Sequence, residues 1–100
     1  MELKVAFGHA LRQIRLARGV TQEDFSTVSS RTYISSLERG IKSPTLEKVD
    51  SLAEALEIHP LTIVAKAYMV RDGISQRTLL DMLDSELSNP TRKGAGSTNH

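Results

Sequence analysis

Residues 18–40 read RGVTQEDFSTVSSRTYISSLERG, and this stretch decides the architecture of the chain. Gly19 ends what precedes it, as a left-handed cap residue does. Thr21 follows as an N-cap with Asp24 three residues on, a near capping box in which Asp replaces the usual Glu or Gln. Gln22, Glu23 and Asp24 fill a first turn where acidic side chains favour the positive helix end, and Phe25 and Val28 are its apolar positions. The pattern predicts a short helix over 21–27, broken at Ser29 and Ser30. Ser30 caps a second helix over 31–39. Tyr33 and Leu37, four apart, with Ile34 beside them, tie that helix to a core, while Arg31, Thr32, Ser35 and Ser36 are left on its outer side until Gly40 stops it.

On the N-terminal side, Phe7, Leu11 and Ile14 are spaced by four and three, one face of a helix over 3–18 that carries Arg12, Arg15 and Arg18 on its other side. On the C-terminal side, Pro44 disfavours a helical residue before it. Thr45 then caps a helix whose apolar positions are Leu46, Val49, Leu52, Ala53 and Leu56, with Lys48 where a capping box would place a carboxylate. His59-Pro60 marks the next break, and Leu61 to Tyr68 reads as a fifth helix. Arg71-Asp72-Gly73 reads as a turn. Ile74, Leu79, Leu80, Met82, Leu83 and Leu87 mark a last amphipathic segment, with Gln76, Arg77, Asp81, Asp84 and Glu86 as its polar side and Pro90 as its end. Residues 91–100, rich in Gly, Ser, Thr and Asn, are expected to be a disordered tail. No strand alternation competes with these helices, so the expected class is all-α. The expected organisation is a compact five-helix domain over 1–70, an amphipathic helical extension over 71–89 and a tail over 90–100.

Composition narrows the function. One hundred residues make one domain with a short extension. With 39% hydrophobic residues, 4% aromatics and no Trp, the core must be aliphatic. There is no Cys, so neither a disulfide framework nor a Cys-based zinc site is available, which suits a reducing cytoplasm. The three histidines, His9, His59 and His100, have no metal-ligand spacing to each other or to paired carboxylates. No glycine-rich phosphate loop or nucleophile motif is present, so no catalytic residue, metal or cofactor is expected. No segment has the length of apolar chain that a signal peptide or a bilayer span needs. The formal net charge of +1 hides a division. Residues 1–42 hold seven basic and four acidic side chains, and residues 43–89 hold four basic and eight acidic. A basic front and an acidic back suit a polyanion on one side and a different contact on the other, although ordinary surface scatter gives the same count.

Residues 11–64 resemble the phage-repressor-like helix-turn-helix family, the XRE or Cro/repressor type. The resemblance is carried by Leu11-Arg12-Gln13-Ile14-Arg15, Arg18-Gly19-Val20-Thr21-Gln22-Glu23-Asp24, and Arg31-Thr32-Tyr33-Ile34-Ser35-Ser36-Leu37-Glu38-Arg39-Gly40. Ser43-Pro44-Thr45-Leu46 and the ladder Leu52-Ala53-Ala55-Leu56 complete it. One departure stands out. Four residues, Ser26 to Ser29, separate Phe25 from Ser30 where the family commonly has about six, and the usual turn glycine is missing. Either the first helix of the motif is shortened or its turn is rebuilt.

What the resemblance implies is a small transcriptional regulator that binds duplex DNA, with the helix at 31–39 entering the major groove by its N-terminal turn. Base contacts then fall to Arg31, Thr32, Ser35 and Ser36, the arginine matching guanine O6 and N7 and the small residues allowing close approach. Phosphate contacts fall to Thr21, Gln22, Tyr33, Arg39 and Lys42, with Arg12 and Arg15 as further charges along the backbone. Two alternatives stay open for several of these. Gln22 either reaches a phosphate or braces the reading helix. Tyr33 is either a phosphate contact or an anchor at the core rim. In the resemblance Glu38 pairs with a basic residue of the first helix, for which Arg15 is the candidate.

Members of the family usually bind inverted repeats as two-fold dimers. A homodimer is therefore expected, through Leu61, Ile63, Val64, Tyr68 and Met69, through 74–87, or through both. The expected setting is the cytoplasm, at the nucleoid, with no membrane and no small-molecule ligand. Within the class, a repressor or autoregulator, a restriction-modification controller and an antitoxin are all compatible with the sequence. The competing reading is a protein-interaction module that keeps the fold without specific DNA binding.

Overall fold

The computed structural model describes residues 1–89; the expected tail at 90–100 lies outside the described residues. Among these, the chain forms five α-helices and one 3-10 turn. The helices are α1 (Leu3–Ala17), α2 (Arg31–Glu38), α3 (Leu46–Leu56), α4 (Pro60–Asp72) and α5 (Gln76–Ser88), with the turn at Gln22–Phe25 between α1 and α2.

The caps fall where the side chains dictate. The Thr21 hydroxyl accepts from the Asp24 N–H at 3.1 Å while the Asp24 carboxylate accepts from the Thr21 N–H at 2.8 Å, closing the box. Ser30 accepts from the Tyr33 N–H, Thr45 from the Lys48 N–H and Ser75 from the Thr78 N–H, each at 3.1 Å. Each satisfies one of the orphan donors at a helix start.

Two elements differ from expectation. The helix expected over 21–27 is a single 3-10 turn of four residues. Only Ser26 to Ser29 separate it from the next N-cap, and the N–H groups of Val28 and Ser29 both bond back to the Phe25 carbonyl at 2.8 and 2.9 Å. That closure consumes the chain an α-helix would need for another turn. The fifth helix runs on through Arg71 and Asp72 instead of ending near Tyr68. No residue between Tyr68 and Gly73 breaks a helix, so it propagates until Gly73 adopts φ +64° as its left-handed cap.

The core is one cluster: Phe7, Ala10 and Leu11 of α1, Phe25 of the turn, Ile34 and Leu37 of α2, Val49, Leu52, Ala53 and Leu56 of α3, and Ile63 and Ala67 of α4. α1 lies against α4 and against α2, and the turn is held between α2 and α3. The approach of α1 to the end of α2 depends on Gly8. A Cβ there would stand inside contact distance of the Leu37 carbonyl oxygen and 2.7 Å from that of Glu38. A backbone-to-backbone approach this close excludes every side chain, which fixes where α2 points.

α5 stands apart. Its one buried residue is Leu79, and it rests on α4. The molecule measures 51 × 25 × 23 Å, with a radius of gyration of 15.8 Å. A compact chain of this size would have roughly 12 Å. Among the described residues no helix is long and apolar enough to cross a membrane.

Candidate nucleic-acid interface

The outer face of α2 is built by helical phase. At about 100° per residue, Arg31, Thr32, Ser35 and Arg39 fall within one sector of roughly 100°, opposite the buried Ile34 and Leu37. Together with Gln22 from the 3-10 turn they line a shallow polar concavity of about 300 Å³. Five of the residues expected at DNA are thus brought to one surface. Arg31, Thr32 and Arg39 are exposed, and Ser35 is half-buried.

The remaining expected residues go elsewhere or do other work. Ser36 is buried, and its hydroxyl donates to the Thr32 carbonyl at 3.0 Å, so it is turned away from the surface that Arg31 and Ser35 share. Thr21 is exposed beside the concavity with its hydroxyl in the capping box. The box also occupies the N–H groups of Thr21 and Asp24, leaving fewer free donors at that end than a bare helix start would offer. Tyr33 is half-buried against the core, as the rim-anchor reading has it, and its ring carries Lys42 and Lys48 at 5.8 and 5.3 Å from the centroid. Lys42 itself is exposed.

Behind the concavity lies a buried ionic brace. The Glu38 carboxylate accepts from Arg15 Nε at 2.6 Å and Arg15 Nη2 at 3.0 Å, a bidentate pair, and from Gln22 Nε2 at 3.0 Å. Arg15 also donates through Nη1 to the Val20 carbonyl at 3.0 Å. The two charged side chains are 8% and 3% exposed, so neither is available to a phosphate. The hydrogen bond to Glu38 raises the Arg15 guanidinium above its ordinary range against the opposing effect of burial. Glu38 is paired with Arg15, as the resemblance implied, and Gln22 donates to the same carboxylate, the bond that the bracing alternative requires. One brace links α1, the 3-10 turn and the C-terminal end of α2.

The rebuilt turn has a second tie that pattern reading did not supply. Lys48 Nζ donates to the Val28 carbonyl at 2.9 Å, fastening residues 26–29 to α3. The one available signal was a lysine at the capping-box position, where a carboxylate would otherwise close on the helix start. Electrostatically, the concavity shows two guanidinium groups, from Arg31 and Arg39, that have no acidic partner among the described residues, while Glu38 is neutralised by Arg15. Such a surface offers donors in a fixed fork to acceptors on a base edge or a phosphate.

Comparison with known proteins agrees with this geometry. Residues 11–63 match the family model described as Helix-turn-helix. The chain is 36% identical over 61 residues to the control protein C.BamHI of Bacillus amyloliquefaciens, a match covering 58% of this chain and 75% of that one. Its structure is similar to that of the restriction-modification controller protein C.AhdI from Aeromonas hydrophila, with TM-score 0.57 and 35% identity over 60% of this chain and 94% of the other. It is also similar to the clp gene regulator ClgR from Corynebacterium glutamicum, with TM-score 0.66 and 31% identity over 91% of this chain and 98% of the other. The motif residues, their placement around a short turn and these matches agree, and the chain belongs to the helix-turn-helix family of the phage-repressor, XRE type.

Proposed function

We propose that this protein is a transcriptional regulator that binds duplex DNA in a sequence-specific manner, reading the major groove with α2. The observation that carries the reading is the joining of Arg31, Thr32, Ser35, Arg39 and Gln22 on one exposed polar face over a buried brace. In this account Arg31 and Thr32, on the first turn of α2, meet base edges, and Ser35 allows the helix to sit close. Arg39, Lys42 and the exposed Arg12 contact phosphates, with Tyr33 and Thr21 at the rim. Gln22 and Arg15 act from behind by fixing the pose of α2. The protein works by binding and needs no catalytic group.

Regulators that carry one such module per chain cover a half-site, so two copies on an inverted repeat are the expected form. The similarity to ClgR over 91% of the chain extends into α5, whereas that to C.AhdI covers 60%. This favours a gene regulator with a helical extension over a minimal controller protein. The setting is the cytoplasm, at the nucleoid.

Titration with variants separates the two contact classes. Arg31→Ala is expected to weaken binding to the preferred site by about tenfold or more and to relax preference at one base position, whereas binding to unrelated duplex changes little. Arg39→Ala is expected to weaken both by a similar factor and to lower the salt dependence by about one charge. Equal loss on all sequences for Arg31→Ala would remove it from the reading set.

A further inference from the structure

We infer that Lys48 of α3 is a positioning residue for base selection: it grips the chain on both sides of Arg31 and Thr32 and so sets the pose in which α2 offers them to DNA. This role presupposes the DNA reading and adds to it a residue, outside the exposed face itself, on which selectivity depends.

The rebuilt turn leaves a bond to be made. Ser26 to Ser29 contain no glycine, and the N–H groups of Val28 and Ser29 are both spent on the Phe25 carbonyl. Among the described residues no backbone N–H reaches the Val28 carbonyl in return. Lys48 Nζ supplies that donor at 2.9 Å. A charged donor makes the stronger kind of hydrogen bond. The same ammonium stands 5.3 Å from the centroid of the Tyr33 ring, within reach of a cation–π attraction. It has no carboxylate partner among the described residues, so the carbonyl and the ring are what hold it.

The order of residues gives these contacts their consequence. Val28 stands two residues before the N-cap Ser30, and Tyr33 three after it. Arg31 and Thr32 lie between the two points that Lys48 holds, and both are exposed, so their aim depends on the backbone beneath them. The other end of the lysine is fixed as well. Its own N–H donates to the Thr45 hydroxyl at 3.1 Å, and the next residue, Val49, is buried in the core. Lys48 thus carries the position of α3 across to the first turn of α2. The far end of α2 is held separately, by Glu38 on Arg15 and Gln22. The brace fixes the C-terminal end of the helix, and the lysine fixes the N-terminal end, where bases are met. A binding constellation must stay within about half an ångström of its productive geometry. Attraction to phosphates needs no such accuracy, so release of this end costs selectivity before it costs general affinity.

The test compares the parent with Lys48→Met, Lys48→Arg, Arg31→Ala and the Lys48→Met/Arg31→Ala double variant. Methionine keeps an unbranched stem and removes the charge, and helical circular dichroism confirms that each variant folds. Each is titrated with the site selected from a random duplex library, with that site altered one base pair at a time, and with unrelated duplex, at several salt concentrations. Lys48→Met is expected to lower the preference for the selected site over its altered forms by about tenfold, with the affinity for unrelated duplex and the salt dependence unchanged. Lys48→Arg is expected to keep most of the preference, since a guanidinium can donate to the same carbonyl and stack on the same ring. In the Arg31→Ala background, Lys48→Met is expected to remove little further preference at the base that Arg31 reads, because the two act through one contact. Without DNA, amide hydrogen exchange at Val28, Ser29 and Tyr33 is expected to quicken by about tenfold in Lys48→Met, while Leu52 and Leu56 in the buried part of α3 exchange as in the parent. Equal loss on every duplex with a lower salt dependence would make Lys48 a phosphate contact and overturn the proposal. So would full additivity with Arg31→Ala, or faster exchange at the turn with preference unchanged. A parent that selects no sequence removes the DNA reading and this role together, whereas a parent that selects and a Lys48→Met variant that selects equally well remove this role alone.

Discussion

Glu38→Ala is expected to cost about 3–5 kcal/mol of stability, a large share of what holds a domain of this size together. The carboxylate is 3% exposed and accepts three hydrogen bonds, two from Arg15 and one from Gln22. Without it the Arg15 guanidinium, itself 8% exposed, is a buried charge whose remaining partner is the Val20 carbonyl. The cost comes mainly from that stranded charge, since a buried pair as a whole gains little over apolar residues of the same shape. Urea unfolding followed by helical circular dichroism measures it. The double variant Arg15→Met/Glu38→Leu, which removes both charges, is expected to lose far less than Glu38→Ala. A loss below about 1 kcal/mol for Glu38→Ala would mean that the pair behaves as a surface salt bridge.

Phe25→Ala is expected to cost a similar amount, about 3–5 kcal/mol, and to reach the DNA face by another route. Phe25 is fully buried and is the single buried residue of the 3-10 turn. Four residues in a 3-10 turn have little stability of their own, so the turn persists because this ring is embedded between α2 and α3. Removing it leaves a cavity and unties Gln22 from its place behind α2. Thermal unfolding with and without duplex DNA checks both parts. The variant should melt well below the parent, and at temperatures where it is still folded its affinity for DNA should be reduced although no surface residue has changed. An unchanged affinity in the folded variant would show that the turn does not position α2.

Much of this was legible in the sequence because the signals were local. Thr21, Ser30 and Thr45 are N-caps at single positions, and Gly19, Gly40 and Gly73 take positive φ at the stops. Both ends of α1 and α2 and the start of α3 therefore lie within a residue of expectation. The four-residue spacing of Tyr33 and Leu37 gave the phase of α2, and with it the outward Arg31, Thr32 and Ser35. What escaped was set by contacts between distant segments. Ser36 has the same polarity as Ser35, and nothing in its neighbours reveals that it is covered and turned onto the Thr32 carbonyl. Gly8 looks like a weak point in a helix until α2 is seen pressed against it. Lys48 stands out in the sequence only as a lysine at a capping-box position, yet it holds the Val28 carbonyl twenty residues away. The short turn could be seen to be short, but whether it was cut down or rebuilt depended on Phe25 finding the core.

The central claim is that the face made by Arg31, Thr32 and Ser35 reads DNA sequence. Selection of the 100-residue chain on a random duplex library, at low and at physiological salt, tests it most directly. The account predicts enrichment of an inverted repeat with half-sites about one helical turn apart, at both salt concentrations, since base contacts survive the screening that weakens phosphate contacts. Retention of duplex at low salt with no enriched motif, and its loss at physiological salt, would contradict the claim and leave a basic surface without a reading helix.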